Sequence, residues 1–267
     1  MKKILILTKP YGQTSNSFFQ HIHLDSFCKE NGITFYNPFL RKKYMDYPGL
    51  RSDFAHETIN SLILFFKLTH FLDLFRTRHF YIDDPDNKTT ILNSRLLFCD
   101  GWLFRSFDTT IKYRAYYQNL FNPDINKQYL NQIYLKKENS DEKIIAVHIR
   151  RGDYKYYSNG IYYFSDNVYI NYIQQLVTCL KTDHYRIILF SNDPSLNDEE
   201  FKQKLINVLF PNECETTEQF LMSKCDYIIG PPSTFSLWAS YIGETPYYHF
   251  KDADDTISLD KFSVCNG

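Results

Sequence analysis

The chain has 267 residues, 43 % of them apolar and 23 % charged, enough to bury one large core or two small ones and ordinary for a soluble globular protein. A formal net charge of −1 argues against the broad basic footprint of a nucleic-acid binder, although it leaves room for a local basic patch. The six cysteines (Cys28, Cys99, Cys179, Cys214, Cys225 and Cys265) include no C-x-x-C pair, so neither a zinc spacing nor a dense disulfide framework is visible and reduced thiols are expected.

Lys2–Leu7 reads as a first strand. Its apolar run is too short for the core of a signal peptide and stops at Lys9-Pro10. A polar turn from Tyr11 to Asn16 leads into a helical pattern through Phe18, Phe19, Ile22, Phe27 and Cys28, stopped by Asn31-Gly32 and followed by a strand over Ile33–Tyr36. This β-turn-α-β opening begins a doubly wound α/β domain. Leu62–Phe75 is apolar but shorter than the roughly 20 residues a membrane span needs. Its polar residues Lys67, His70 and Asp73 recur as on one face of a helix. A core helix is the expectation there, and a helix lying on a membrane surface is the alternative.

Strands are predicted at Phe80–Ile82 and Leu96–Cys99, with Asp100-Gly101-Trp102 at the end of the latter, and a helix over Phe107–Leu120. The stretch from Asn122 to Glu142 is polar and lysine-rich. A domain boundary placed near its end gives an N-terminal domain over 1–140 and a C-terminal one over 141–267. The second half alternates again: strand Ile144–Val147, a tyrosine-rich loop, a helix from about Asn167 to Leu180, strand Arg186–Phe190, and a helix through Leu209. Helix Thr217–Cys225, strand Tyr227–Ile229, helix Thr234–Ile242 and a short strand over Tyr247–Phe250 complete it. Strand-loop-helix repeated in this way is a second Rossmann-like unit.

Three constellations follow predicted strands, where open α/β sheets hold their ligands. The first is His148, Arg150, Arg151, Gly152 and Asp153. Arginine matches phosphate bidentately and keeps its charge, so Arg150 suits a diphosphate, with Asp153 orienting an arginine or touching substrate. A structural Arg–Asp pair closing the strand end is the plainer reading. The second is Gly230-Pro231-Pro232-Ser233-Thr234-Phe235-Ser236. Its hydroxyls and free amides at a helix start form an anion site, or Ser233 and Thr234 simply cap the helix. The third is Phe190-Ser191-Asn192-Asp193-Pro194, in which Asp193 accepts from a ribose or base, or closes a local Asx turn. Glu218, at a predicted helix start, either reads the N1–H and N2 edge of a guanine or favours the helix dipole. The histidines His21, His23, His56, His70 and His79 are scattered without a metal spacing, and no metal site is expected.

Together these residues resemble fucosyltransferases with a His-x-Arg-x-Gly-Asp-type motif, in particular the bacterial α-1,2-fucosyltransferases of glycosyltransferase family 11. VHIRRGDY at Val147–Tyr154 is close to that family's first motif, and FSNDP at Phe190–Pro194 is similar to its FSDDP. The segment Glu218–Ser240 resembles the family's DLYLMSLC…II-x-x-SSFSWWAA, Asn16–His21 its NQLFQY, and Asp100-Gly101-Trp102 its strand-end Gly-Tyr-Trp. The chain departs from the pattern at Gly12-Gln13-Thr14-Ser15, Phe104, Glu218, Pro231-Pro232 and Leu237. Only the proline pair touches the donor loop.

The resemblance implies a GT-B-like α/β fold, with two Rossmann-like domains facing across a cleft and GDP-fucose lying mainly on the C-terminal one. It implies that Arg150 holds the β-phosphate and that His148 lines the nucleotide pocket. Ser233, Thr234, Phe235 and Ser236 would contact phosphate and fucose, and Asp193 and Glu218 would recognise the nucleoside. The reaction would be inverting and independent of metal. Asp153 is the candidate acceptor base, with Asp100 or a mechanism lacking a base left open. The acceptor would be an oligosaccharide or lipid-linked glycan in surface polysaccharide synthesis. The protein would be bacterial and cytoplasmic, with peripheral contact at the inner membrane as an option and no nucleic-acid partner. A catalytically silent nucleotide- or glycan-binding protein, or a transferase of other linkage or donor, is the alternative.

Overall fold

The computed structural model describes residues 2–70, 75–82 and 84–267. The chain forms two compact units, Met1–Asp124 joined by Asn266–Gly267, and Ile125–Cys265.

The first unit contains β1 (Lys3–Leu7), α1 (Thr14–Glu30), β2 (Ile33–Tyr36), α2 (Phe54–Leu68), α3 (Asp86–Asn93), β3 (Leu96–Cys99), α4 (Phe107–Lys112) and α5 (Arg114–Leu120). Its three strands are parallel in the order β2-β1-β3. Leu5 and Leu7 of β1 pack with Leu24, Phe27 and Cys28 of α1 and with Phe35, Cys99 and Phe104. Helix α1 ends as expected at Asn31, where Gly32 takes φ +65° without strain.

Three expectations are corrected here. Phe80–Ile82 forms no strand: only Arg78 bridges Cys99 beside β3. Phe80 is buried against Phe104, and the carbonyl of Tyr81 is taken by Asn87 Nδ2 at 2.6 Å, so the backbone turns toward α3 instead of pairing. The helix expected over Phe107–Leu120 breaks at Tyr113, whose ψ of 13° separates α4 from α5. Helix α2 is not a core helix, because only Asn60 and Ile63 on it are buried. Ile63 packs on Tyr36 beside Ile4, Ile6 and Phe98, while Phe54, Leu62, Phe65 and Leu68 are exposed. Residues 71–74 of the expected Leu62–Phe75 segment, Asp73 among them, lie outside the described residues. Among the described residues no helix is long and apolar enough to cross a membrane.

The second unit contains α6 (Lys127–Leu130), β4 (Lys143–Ile149), α7 (Asp166–Leu180), β5 (Tyr185–Ser191), α8 (Asp198–Lys204), β6 (Val208–Leu209), α9 (Glu215–Met222), β7 (Tyr227–Gly230), α10 (Thr234–Gly243) and β8 (Tyr247–His249). All five strands are parallel in the order β6-β5-β4-β7-β8. The helix expected through Leu209 stops at Lys204. Leu205 is extended and Asn207 takes φ +54°, so Val208–Leu209 instead pairs with Ile187 and Ile188 as an edge strand. Strand alternation divides the core. Ile145, Val147 and Ile149 pack with Tyr169, Tyr172 and Ile173 of α7, whereas Ile144 and Ala146 pack with Leu221 and Met222 of α9 and Ala239 of α10. From β4 the chain runs outward to β5 and β6, then returns to β7 and β8 on the other side. The strand order therefore reverses between β4 and β7, where a doubly wound sheet opens its ligand crevice.

Candidate active site

His148 and Arg150 continue the Ile144–Ala146 face of β4 toward α10. His148 Nδ1 lies 2.7 Å from Ser236 Oγ, and its ring centroid is 5.1 Å from that of Phe235. Burial, reinforced by the Arg150 charge, pushes its pKa down to about 3, so the imidazole is neutral and acts as a hydrogen-bonding wall. The backbones of β4 and β7 approach so closely that a Cβ on Gly230 would sit 2.7 Å from the His148 carbonyl oxygen. Just beyond the end of β4, the Arg150 side chain is 16 % exposed, its Nη2 2.8 Å from Asp153 Oδ1 and its guanidinium 5.5 Å from the Tyr154 ring centroid. The Asp153 side chain is 54 % exposed, so one carboxylate orients Arg150 from its solvent side.

Arg151 turns to the opposite face. Its Nε donates to the Phe164 carbonyl at 3.1 Å, Nη1 lies 3.4 Å from Asp193 Oδ2, and Nη2 is bonded to Asp166. Burial opposes its charge, but the Asp166 carboxylate outweighs that and raises the pKa further. One arginine of the pair thus stands between Asp153 and Tyr154 at the strand end, and the other locks β4 to α7 and the loop after β5.

The loop after β7 is pinned from two directions. Tyr247 on β8 donates its hydroxyl to the Pro231 carbonyl, and Tyr154 donates to the Pro232 carbonyl. Prolines bring no N–H of their own, so these tyrosines fix a segment with little capacity to fix itself. Ser233 then caps α10, its Oγ accepting from Phe235 N at 3.3 Å. Ser236 is fully buried beneath it against His148. The result is a rigid helix N-terminus beside a strand-end arginine, a combination suited to a phosphate.

Of the remaining residues singled out in the sequence, Thr234 and Phe235 belong to the start of α10, whereas Asp193 pairs with Arg151 on the opposite face and Glu218 stands at the start of α9. Asp193 Oδ1 accepts from Ser195 N at 2.9 Å and from Ser195 Oγ at 2.6 Å, while Oδ2 faces Arg151. Burial would raise its pKa, but the Ser195 and Arg151 hydrogen bonds prevail and lower it. Glu218 sits in the first turn of α9, and its neighbour Gln219 donates Nε2 to the Phe235 carbonyl at 3.2 Å, linking α9 to the first turn of α10. Burial, and secondarily the charges of Glu213 and Glu215, raise the Glu218 pKa to about 7. Thr234 and Phe235 are half-buried in the first turn of α10. Sequence reasoning missed Tyr154 and Tyr247 as loop holders, since nothing local marks a hydroxyl that reaches 78 or 16 residues along the chain. It also left the two arginines unassigned to opposite faces, although the strand period would have separated them. Among the described residues no group of three or more His, Cys, Asp or Glu side chains has the geometry to hold a metal ion.

Two parallel Rossmann-like units, one with an arginine and a capped helix start at its switch point, define the fold class of the GT-B glycosyltransferases expected from the sequence. That class narrows to one family: the model of glycosyl transferase family 11 matches residues 56–247, and the chain belongs to it. No curated protein matches the chain in sequence. Similar solved structures include the fucosyltransferase NodZ from Bradyrhizobium, at TM-score 0.56 and 13 % identity over 94 % of this chain and 96 % of that one. NodZ α-1,6-fucosyltransferase soaked with GDP-fucose aligns at TM-score 0.54 and 13 % identity over 98 % and 97 %. A mutant of Arabidopsis thaliana FUT1 in complex with GDP aligns at TM-score 0.58 and 11 % identity over 98 % of this chain and 73 % of that one. At these identities the likeness is one of fold.

Proposed function

We propose that the protein transfers fucose from GDP-fucose to a sugar hydroxyl with inversion at the fucosyl carbon, forming an α-1,2 linkage. The observation that carries this reading is the His148–Ser236 contact, which sets the end of β4, next to Arg150, against the capped start of α10 in a family 11 chain. As the fucosyl C1–O bond breaks, negative charge gathers on the β-phosphate. Arg150 and the amides at Ser233–Ser236 meet that charge from preset positions, the kind of stabilisation whose loss typically costs roughly 10²–10³ in rate. Asp153 holds the guanidinium in its fork geometry. Phe235 and Thr234 border the fucose, and Asp193 and Glu218 serve the nucleoside. Fucose-bearing solved structures of this fold support the choice of donor sugar.

With cationic charge supplied by Arg150 and the helix, the reaction proceeds without a metal, and chelator leaves turnover unchanged. The acceptor is a glycan, free or lipid-linked, in surface polysaccharide synthesis on the cytoplasmic side. The exposed Leu62, Phe65 and Leu68 on α2 support peripheral contact with a membrane, which failure to float with anionic vesicles would rule out. The transfer itself is tested by incubating the protein with GDP-fucose and a panel of galactosides and reading the new linkage by NMR. An α-1,2-fucosylated product is expected. GDP binding without turnover on any acceptor would instead mark a silent binding protein.

A further inference from the structure

The first unit contains a cavity of about 180 Å³ beside its edge strand β2, lined only by residues of that unit. Its buried lining includes Phe35, Asn37 and Asn60, and its exposed lining Lys29, Ser52 and Tyr116. Asn60, on the inner side of α2, is 2 % exposed, yet its buried Oδ1 has no hydrogen-bond partner among the described residues. A buried amide oxygen without a donor is a standing cost to the fold, which a bound donor removes. Asn37 follows β2, and its Oδ1 accepts from Phe39 N at 3.1 Å. That fixes the amide so that Nδ2 donates to His21 Nδ1 at 3.3 Å. With Nδ1 as acceptor, the ring carries its proton on Nε2. Burial lowers the pKa of both His21 and His56, so both imidazoles are neutral at pH 7. Aromatic neighbours hold them: the His21 ring centroid lies 5.6 Å from that of Phe35, and the His56 centroid 4.4 Å from that of Tyr36. The charged lining groups answer one another, Lys29 Nζ standing 3.9 Å from Asp25 Oδ2 and 4.3 Å over the Tyr116 ring centroid.

We propose that this cavity binds a single neutral pyranose, one sugar residue of a glycan. A cavity of about 150 Å³ holds one benzene, so this one has room for a six-membered ring with its hydroxyls and none for a nucleotide. A sugar hydroxyl both donates and accepts, and the lining offers a fixed partner for each role. Asn60 Oδ1 takes an O–H, and His21 Nε2–H donates to a hydroxyl oxygen. The Phe35 and Tyr116 rings supply the apolar surface that the C–H faces of a sugar need. With both imidazoles neutral and Lys29 turned to Asp25, the lining favours an uncharged ligand over a phosphate or carboxylate. The choice of a sugar over another polyol rests on the transferase reading above. No sequence pattern marks the cavity, because α1, the segment after β2, α2 and α5 each bring part of its lining.

The test titrates methyl β-galactoside, methyl α-mannoside and N-acetylglucosamine into the full chain by ligand-observed NMR, with glycerol as the acyclic control. Saturable binding of at least one of the sugars, and none of glycerol, is expected. Asn60→Leu keeps the bulk and removes the oxygen, and should weaken that binding by about tenfold. Ser52→Trp places a large ring at an exposed lining position and should block the cavity even where the buried substitution upsets folding. Denaturant midpoints report whether each variant is folded. No binding by the wild type, which would mean a merely hydrated cavity, or sugar binding unchanged in both folded variants, would overturn the proposal. GDP-fucose is titrated separately. Its failure to bind the wild type would strike the transferase reading, whereas the sugar titrations report on the cavity alone.

Discussion

Arg150 and Arg151 show how one step along a strand end separates chemistry from structure. Arg151 is enclosed by Asp166, Asp193 and the Phe164 carbonyl and has no capacity left for a ligand of the size of a diphosphate. Arg150, by contrast, meets the exposed Asp153 carboxylate and the Tyr154 ring. Glu218 titrates close to physiological pH. Its pKa near 7 in the folded chain, against an ordinary 4.5, means the folded protein binds the extra proton between those values. Its contribution to stability is therefore least favourable above about pH 7 and improves as pH falls toward 4.5, because burial penalises the charge. Donor binding runs the other way, since a guanine's N1–H and N2–H need the carboxylate as acceptor. GDP-fucose, whose diphosphate does not titrate in this range, should bind more weakly at pH 6 than at pH 8, and Glu218→Gln should bind weakly at both. Calorimetry at the two values checks this. Affinity in the wild type that is flat or higher at pH 6 would remove Glu218 from guanine recognition.

At the scale of elements, the loop between β7 and α10 depends on hydroxyls from outside itself. Tyr154→Phe or Tyr247→Phe leaves a proline carbonyl without its donor, which typically costs about 1–3 kcal/mol where the group is buried. Each variant should unfold at lower denaturant by that order and raise the KM for GDP-fucose. The double variant should show less than the sum if both hydroxyls hold one rigid unit. Unchanged KM in both would mean the loop holds its shape without them. The elements themselves were largely legible. The short apolar runs at Lys2–Leu7 and Ile144–Val147 and the stop at Asn31-Gly32 carry their own signals. Phe80–Ile82 misled because an apolar run does not say whether its carbonyls will be claimed by a neighbouring asparagine. Helix α2 misled because apolar spacing does not reveal which face lacks a covering layer. The strand-end clusters were legible, but the tyrosine hydroxyls reach their partners only through long-range contacts.

At the scale of the whole molecule, each of the two α/β units carries its own strand-end cluster: His148, Arg150 and the capped start of α10 in the second, and Asp100 with the Tyr11–Trp102 stack in the first. Membership of glycosyl transferase family 11 does not by itself specify the linkage. The central claim is that Arg150 and the start of α10 bind the diphosphate of GDP-fucose. It is tested most directly by titrating GDP-fucose into the wild-type protein and Arg150→Ala in a calorimeter. Hydrogen bonds to charged groups are worth about 1.5–3 kcal/mol, so binding by the wild type and a loss of tenfold or more in the variant are expected. Arg150→Lys should recover little of it, because an ammonium cannot match the phosphate fork. No binding by the wild type, or equal binding by Arg150→Ala, would contradict the account.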